Sequence, residues 1–220
     1  MAKFLAQIFN TLIGNGSCAR GDYVCIEIED STVGAESCSD GTGACSYAAL
    51  TIIGDNSCKF DYACFSSEDS TFGSGSCNGS TACHSVQFTD VGTDSCISDA
   101  EGADAQGACG FSSYVIIGNG SCLGNAACID ATGDSTFYVT IGSGSCVGTD
   151  ACNEASFVEI GDDSCTNDSA CESIEVDVGD RSCTCAGCCS CDAIQTNFPG
   201  GVPDDTCMAL GETNCCPTKR

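Results

Sequence analysis

Cysteine is the residue with the most evident chemistry in this chain, which has 24 cysteines among 220 residues. Cysteine side chains form disulfides in oxidising compartments, and as thiolates they bind metals. Sixteen of them form eight pairs in which the second cysteine follows the first by 6 to 13 residues. The pairs are Cys18/Cys25, Cys38/Cys45, Cys58/Cys64, Cys77/Cys83, Cys96/Cys109, Cys122/Cys128, Cys146/Cys152 and Cys165/Cys171.

Disulfides explain these pairs better than a metal site does. The pairs lack the short Cys-x-x-Cys spacing of zinc sites, and His84 is the only histidine in the chain. We therefore expect an extracellular or otherwise oxidising compartment, although no secretory signal is visible at the start of the sequence.

Every pair belongs to a repeat that is headed by the pentapeptide Gly-x-x-Ser-Cys. The motif occurs nine times, and the interval between copies is 18 to 26 residues, which is the length of one coil of a solenoid. The motif glycines are Gly14, Gly34, Gly54, Gly73, Gly92, Gly118, Gly142, Gly161 and Gly179.

Short alternating segments rich in branched and aromatic residues precede these glycines, as in residues 114–117 and 137–141. Such segments are typical of β-strands, and each glycine would supply a corner at which φ is positive. The fold class predicted is all-β: a parallel β-solenoid of about nine coils.

The spacing favours disulfides within each coil, because an insertion at residues 98–106 separates Cys96 from Cys109 yet leaves both in place. Bonds between like cysteines of neighbouring coils remain an alternative. Coils would stack about 4.8 Å apart, which falls within the usual Cα separation of a disulfide.

The chain is predicted to have three parts: residues 1–12, 13–183 and 184–220. The first part has Phe4, Leu5, Ile8, Phe9 and Leu12 at helical spacing, which predicts an amphipathic helix that caps the first coil or docks onto another subunit. The second part contains the repeats. The third is a cysteine-rich cap.

The third part and the residue before it hold eight cysteines, an even number that allows complete pairing. A small disulfide-bonded cap is the favoured interpretation, and a thiolate metal cluster is the alternative. These cysteines are Cys183, Cys185, Cys188, Cys189, Cys191, Cys207, Cys215 and Cys216.

Acidic residues dominate the charge, with 31 Asp and Glu against 6 Lys and Arg and a net charge of −25. Nucleic acids and anionic membrane surfaces are therefore poor partners, and no apolar run is long enough for a membrane span. We expect no cofactor. Alignment of the motifs stacks Asp162 over Asp180, which makes this pair a candidate calcium site; solvated surface charge is the favoured alternative.

One column of residues, four positions before the motif glycine, has four consecutive aromatic members: Phe88, Tyr114, Tyr138 and Phe157. If the branched residue next to glycine points inward, this column points outward and forms an interaction stripe. The alternative is that a bend turns these rings into a second core.

The repeats resemble the cysteine-rich Ile-Gly-x-x-Ser-Cys arrays of marine microalgae and related protists, a likeness that implies no defined activity. In architecture and paired cysteines, residues 13–183 also resemble the insect hyperactive antifreeze proteins, which implies that an ice surface is a possible partner. The insect repeat is shorter and carries Thr-x-Thr. Here the column two before the motif glycine has only Thr32, Thr71 and Thr140 among acidic and aliphatic residues.

Catalysis has little support, because no residue is placed to act as the base for the many serines. The function predicted is a non-enzymatic extracellular structural or adhesive module, a surface or filament subunit that self-associates end to end or side to side. Ice binding is the first alternative. Metal binding, through acidic faces or the C-terminal cysteines, is the second.

Overall fold

The computed structural model describes residues 8–98, 107–184, 200–204, 206–207 and 216–217. Those residues form a parallel β-solenoid made of very short strands and contain no helix. The strands are β1 Ile8–Phe9, β2 Leu12–Ile13, β3 Ile28–Glu29, β4 Thr32–Val33, β5 Ile52–Ile53, β6 Thr71–Phe72, β7 Asp90–Val91, β8 Val115–Ile117, β9 Val139–Ile141, β10 Glu159–Ile160, β11 Thr206–Cys207 and β12 Cys216–Pro217.

The main sheet has eight parallel strands in the order β2, β4, β5, β6, β7, β8, β9, β10. Each strand immediately precedes a motif glycine and pairs in register with the same position of the next coil. Single parallel bridges join Ile160 to Val178 and Val178 to Val202, so the stack continues beyond the last strand of the sheet. The predicted solenoid is confirmed.

The stack passes the predicted boundary at residue 183. Val202 and Pro203 occupy the level that follows Val178 and Gly179: the Ser182 hydroxyl donates to the Pro203 carbonyl at 2.7 Å, as earlier serines do to motif glycines. The sequence also indicates this additional level of the stack. Val-Pro-Asp-Asp-Thr-Cys at 202–207 is similar to Ile-Gly-Asp-Asp-Ser-Cys at 160–165.

The helix predicted for residues 1–12 is wrong over the part that the structure describes. Ile8–Phe9 pairs with Ile28–Glu29, and Leu12–Ile13 pairs with Thr32–Val33, both in parallel. A short apolar segment can match helical spacing by chance, whereas strand pairing satisfies its backbone groups against the next coil. Phe4 and Leu5 lie outside the described residues.

The motif glycines do not supply the predicted positive-φ corners. None of the nine has φ in the left-handed region; that conformation occurs two residues later, as at Gly16, Glu36 and Asn56, and at every cysteine of the eight pairs. Glycine is needed for clearance instead. A Cβ on Gly54 would lie 2.5 Å from the amide nitrogen of Ser74 in the next coil.

The bore of the solenoid is filled by small and branched side chains. From the second motif onward, the branched and aromatic residues before the motif glycine, the alanines before the second cysteine and the motif serines are buried. Each inner serine is satisfied by the next coil: the Ser121 hydroxyl donates to the Gly142 carbonyl at 2.7 Å and accepts from the Ser145 amide at 3.3 Å. The buried serines therefore form a continuous ladder of hydrogen bonds. These bonds offset the free-energy cost of removing the hydroxyl groups from water.

Candidate functional site

The eight predicted cysteine pairs all form disulfides within their own coils, with Cα separations of 5.6 to 5.8 Å. All sixteen cysteines are buried except Cys18, which is half-buried. Each has φ between 52° and 60°, a conformation that costs an L-residue about 1–2 kcal/mol. The disulfides therefore hold a backbone turn that the local sequence does not favour.

The disulfides stack on one another along the solenoid. In several places a sulfur atom of one coil lies within 4.8 Å of both sulfur atoms of the neighbouring disulfide, as Cys77 does with Cys58 and Cys64. These sulfurs are already in covalent bonds and lack the thiolate charge that a metal ligand carries. We call the stack the disulfide column.

The C-terminal cysteines are described only in part. Cys183 is disulfide-bonded, and Cys207 lies opposite Cys216 in the antiparallel pair formed by β11 and β12. The remaining cysteines of the predicted cap, Cys185, Cys188, Cys189, Cys191 and Cys215, lie outside the described residues.

The candidate calcium ligands Asp162 and Asp180 lie in adjacent coils, and their carboxylates hydrogen-bond the backbone. Asp162 Oδ1 accepts from the Ser143 amide at 2.7 Å, and Asp180 Oδ1 accepts from the Asp162 amide at 2.9 Å. Asp55 and Asn119 make the same contact in earlier coils. The column after the motif glycine thus ties a coil to the one before it wherever it carries Asp55, Asn119, Asp162 or Asp180.

The predicted interaction stripe, Phe88, Tyr114, Tyr138 and Phe157, lies on the outer surface. Phe157 is 58% exposed, and Tyr114 is the most covered member. Phe88 and Tyr114 stack with ring centroids 4.8 Å apart, and Tyr114 meets Tyr138 edge to face at 5.7 Å. The exposed Phe137 lies beside this stripe in sequence, at the end of a turn that Asp134 closes.

A second aromatic group, which the sequence analysis missed, lies beside the second cysteines of the coils. Phe65 stacks on the His84 ring at 5.3 Å and meets Tyr47 and Tyr62 edge to face, while Phe111 meets His84 at 5.2 Å. Four of these five residues immediately follow a second cysteine or lie two positions beyond it, which is the signal that reveals them. We call these five residues the aromatic cluster.

Three side chains in the described part of the chain have shifted pKa values. Burial in the aromatic cluster lowers the pKa of His84, whose Nδ1 is hydrogen-bonded to Ser85 at 3.0 Å. Burial, and secondarily the charge of Glu154, raises the pKa of Asp130. Hydrogen bonds from Thr136 and Phe137 lower the pKa of Asp134.

Together the parallel ladders and the disulfide column define a disulfide-braced β-solenoid with an exposed aromatic stripe. Three overlapping matches to one family, described as a domain of unknown function (DUF7640), cover residues 4–65, 39–107 and 98–219. The chain belongs to this family. No curated protein and no solved structure matches it.

The described part of the chain has no helix that is long and apolar enough to cross a membrane. The number of buried disulfides is typical of proteins that fold in an oxidising environment.

Proposed function

We propose that this chain is a non-enzymatic structural or adhesive solenoid that works outside the cell or in another oxidising compartment. The observation that carries the proposal is the disulfide column, in which each of eight consecutive coils is closed by its own buried bond. Such a rod gains stability from crosslinks rather than from a thick apolar core.

Resistance to unfolding and to proteases would follow from two features. Backbone hydrogen bonds run from coil to coil along several faces, as from Cys38 to Ser57 and from Cys128 to Ala151. A disulfide ring within each coil adds about 2.5 kcal/mol by the chain-entropy estimate, as an upper limit. A protease would therefore have few chain segments to bind in extended form.

The interaction stripe is the surface best suited to adhesion. It places Phe88, Tyr138 and Phe157 in contact with solvent on three of four consecutive levels of a rigid support. Asp90 and Glu159 lie exposed in the neighbouring column of the same strands. Rigid aromatic residues lose little conformational entropy on binding, which makes such a stripe an effective contact surface.

Sedimentation velocity at 50 and 500 mM NaCl tests self-association through this stripe. We expect larger species at high salt, because screening weakens the repulsion between chains that carry a net charge of −25. The Tyr138→Ser and Phe157→Ser double variant should remain monomeric. A Tyr47→Ser and Tyr62→Ser variant, which changes exposed rings outside the stripe, should associate like the parent.

Equal association of both variants would reject the stripe as the self-association surface, and a parent that stays monomeric at every concentration would reject the filament form of the proposal. The structural form of the proposal does not depend on adhesion, and its test is protease resistance.

Ice binding has less support. The motif serines, whose column is the most regular one, are buried and bonded within the bore. Among the outward residues, Thr32 and Thr71 share a column with Ile52, Asp90 and Glu159. We expect ice crystals grown in micromolar protein to stay unfaceted. Faceted crystals with thermal hysteresis would instead show that the protein binds ice.

A further inference from the structure

Across four successive levels of the disulfide column, a sulfur of one coil is close enough to attack the disulfide of the next coil if it is present as a thiolate. The sulfur atoms of Cys58, Cys64 and Cys77 all lie within 4.8 Å of one another, and the same holds for Cys77, Cys83 and Cys96 and for Cys96, Cys109 and Cys122. Because consecutive groups share Cys77 and Cys96, the proximity is continuous from coil to coil.

We infer that this part of the column is a track for intramolecular thiol–disulfide exchange, along which a free thiol moves from one coil to the next. A thiolate attacks a neighbouring disulfide in line, forms a new disulfide and expels the far sulfur as a thiolate. The substrate of this activity is a thiol of the chain itself, produced when one bond of the column is open.

The first step starts with a thiolate at Cys58. It attacks Cys77 of the Cys77–Cys83 bond; the Cys58–Cys77 bond forms, the Cys77–Cys83 bond breaks, and Cys83 leaves as the thiolate. One disulfide and one thiolate are present before and after, so the step needs neither oxidant nor reductant.

The next two steps repeat the first. The Cys83 thiolate attacks Cys96 and releases Cys109, since Cys83 and Cys96 belong to one group. The Cys109 thiolate then attacks Cys122 of the Cys122–Cys128 bond. The thiol finally resides on Cys128.

Within the described part of the chain, the groups of three neighbouring sulfurs define the extent of the track. No group of three neighbouring sulfurs there includes Cys18, Cys25, Cys38 or Cys45, and none joins Cys128 to the following coil. A separate group, Cys152, Cys165 and Cys171, permits a single step elsewhere.

Burial keeps this chemistry within the molecule. The cysteines of the track have no exposed surface, so small thiols in solution reach them poorly, whereas the neighbouring sulfur is held in place. In the native protein a thiol enters the track only when a dithiol or phosphine reductant opens one of its bonds, a step that the same burial slows. The exchange then converts rings within coils into bonds between coils. The Cys58–Cys77 bond joins two first cysteines, for which a coil spacing of about 4.8 Å is suitable, and the later bonds join a second cysteine to the first cysteine of the next coil.

The Cys64→Ser variant tests the track, because it leaves Cys58 with an unpaired thiol beside the Cys77–Cys83 bond. After incubation at pH 8, acid quenching, alkylation under denaturing conditions and peptic digestion, we expect a peptide that joins Cys58 to Cys77. More than half of the alkylation should lie at Cys83, Cys109 or Cys128. The rate of transfer should fall about tenfold per pH unit below the thiol pKa.

Cys25→Ser is the matched control. It leaves Cys18 unpaired in a coil outside the track, and the label should stay on Cys18. A second control, Cys64→Ser with Cys77→Ala and Cys83→Ala, removes the acceptor bond and should hold the label on Cys58.

Circular dichroism establishes that each variant is folded. A folded Cys64→Ser protein labelled only at Cys58 would overturn the inference. If that variant does not fold, the parent chain treated with one tenth of an equivalent of phosphine serves instead. Peptides linking Cys58 to Cys77 would then support the track, and labels confined to the original pairs would overturn it.

Discussion

His84 is held as a neutral ring by its surroundings. It stacks on Phe65, meets Phe111 edge to face and is hydrogen-bonded to Ser85, and its burial lowers the pKa of the imidazole. Protonation would place a positive charge in this partly apolar cluster, which is unfavourable. The unfolded chain therefore binds the proton more readily than the folded chain does.

The sign of the resulting pH dependence is therefore fixed. The folded pKa lies below the ordinary value of 6.5, so the contribution of His84 to stability is complete above pH 6.5 and is lost as pH falls below it. We expect the melting temperature of the parent, relative to a His84→Phe variant, to fall between pH 7.5 and pH 5.5. The comparison with the variant cancels the titration of the carboxylates; a constant difference over this range would contradict the burial of the ring.

Single residues also show what sequence reasoning can and cannot reach. The cysteine pairing was predictable, because a variable insertion between Cys96 and Cys109 leaves both partners in place. The role of the motif glycine was not. Glycine is required there because a side chain would collide with the backbone of the next coil, about twenty residues away. Nothing in the local sequence distinguishes that contact from a positive-φ turn.

At the scale of the elements, clearance between adjacent coils decides which glycines can change. A Cβ on Gly118 would lie 2.5 Å from the Ser143 amide nitrogen, whereas a Cβ on Gly120 would meet nothing within 4 Å, although Gly120 has φ of 63°. Overpacking typically costs about 1–3 kcal/mol and occasionally more, with rigid backbone as the obstacle favouring the upper end, and an alanine in the left-handed region costs about 1–2 kcal/mol.

We therefore expect Gly118→Ala to lower the free energy of unfolding substantially more than Gly120→Ala. Denaturant unfolding of the two variants with disulfides intact measures the difference. Equal losses would show that the coils can separate far enough to relieve the 2.5 Å contact that the new methyl group would make.

Strand positions were predictable from alternation, but their lengths and the N-terminal element were not. The predicted strand at residues 114–117 is reduced to Val115–Ile117, because Tyr114 has φ of 56° and interrupts the extended backbone. The apolar residues of 1–12 fit helical spacing, yet Ile8–Phe9 and Leu12–Ile13 pair as strands. In both cases the deciding partner is the neighbouring coil.

At the scale of the whole molecule, crosslinks and stacking support each other. The cysteines adopt left-handed backbone that is costly alone, and the coil-to-coil hydrogen bonds need that backbone to stay in place. Removing every disulfide therefore removes the constraint from each level of the stack at once.

Complete reduction should convert a protease-resistant rod into a susceptible chain. We expect digestion by a broad-specificity protease to accelerate at least a hundredfold after reduction and alkylation, with loss of the β-sheet signal in circular dichroism. A chain that is alkylated at all cysteines yet remains resistant would show that the hydrogen-bonded stack is sufficient alone.

The interaction stripe and the aromatic cluster are also properties of the whole molecule, because each forms only when several coils are stacked. The interaction stripe was predictable by counting back from the motif glycine. The aromatic cluster was not identified, because its members come from different positions in their repeats: Phe65 and His84 directly follow a second cysteine, whereas Tyr62 precedes one.

The inner serine ladder has a consequence for how such a protein can change in length. Each serine hydroxyl donates to a carbonyl and accepts from an amide of the following coil, and the same relation recurs from Ser37 to Ser164. Duplicating or deleting one whole coil therefore leaves every remaining bond with an equivalent partner, while a cut within a coil leaves a buried hydroxyl without one. A gene for such a rod can grow or shrink in steps of one repeat, and its length becomes a property that selection can adjust without redesigning the core.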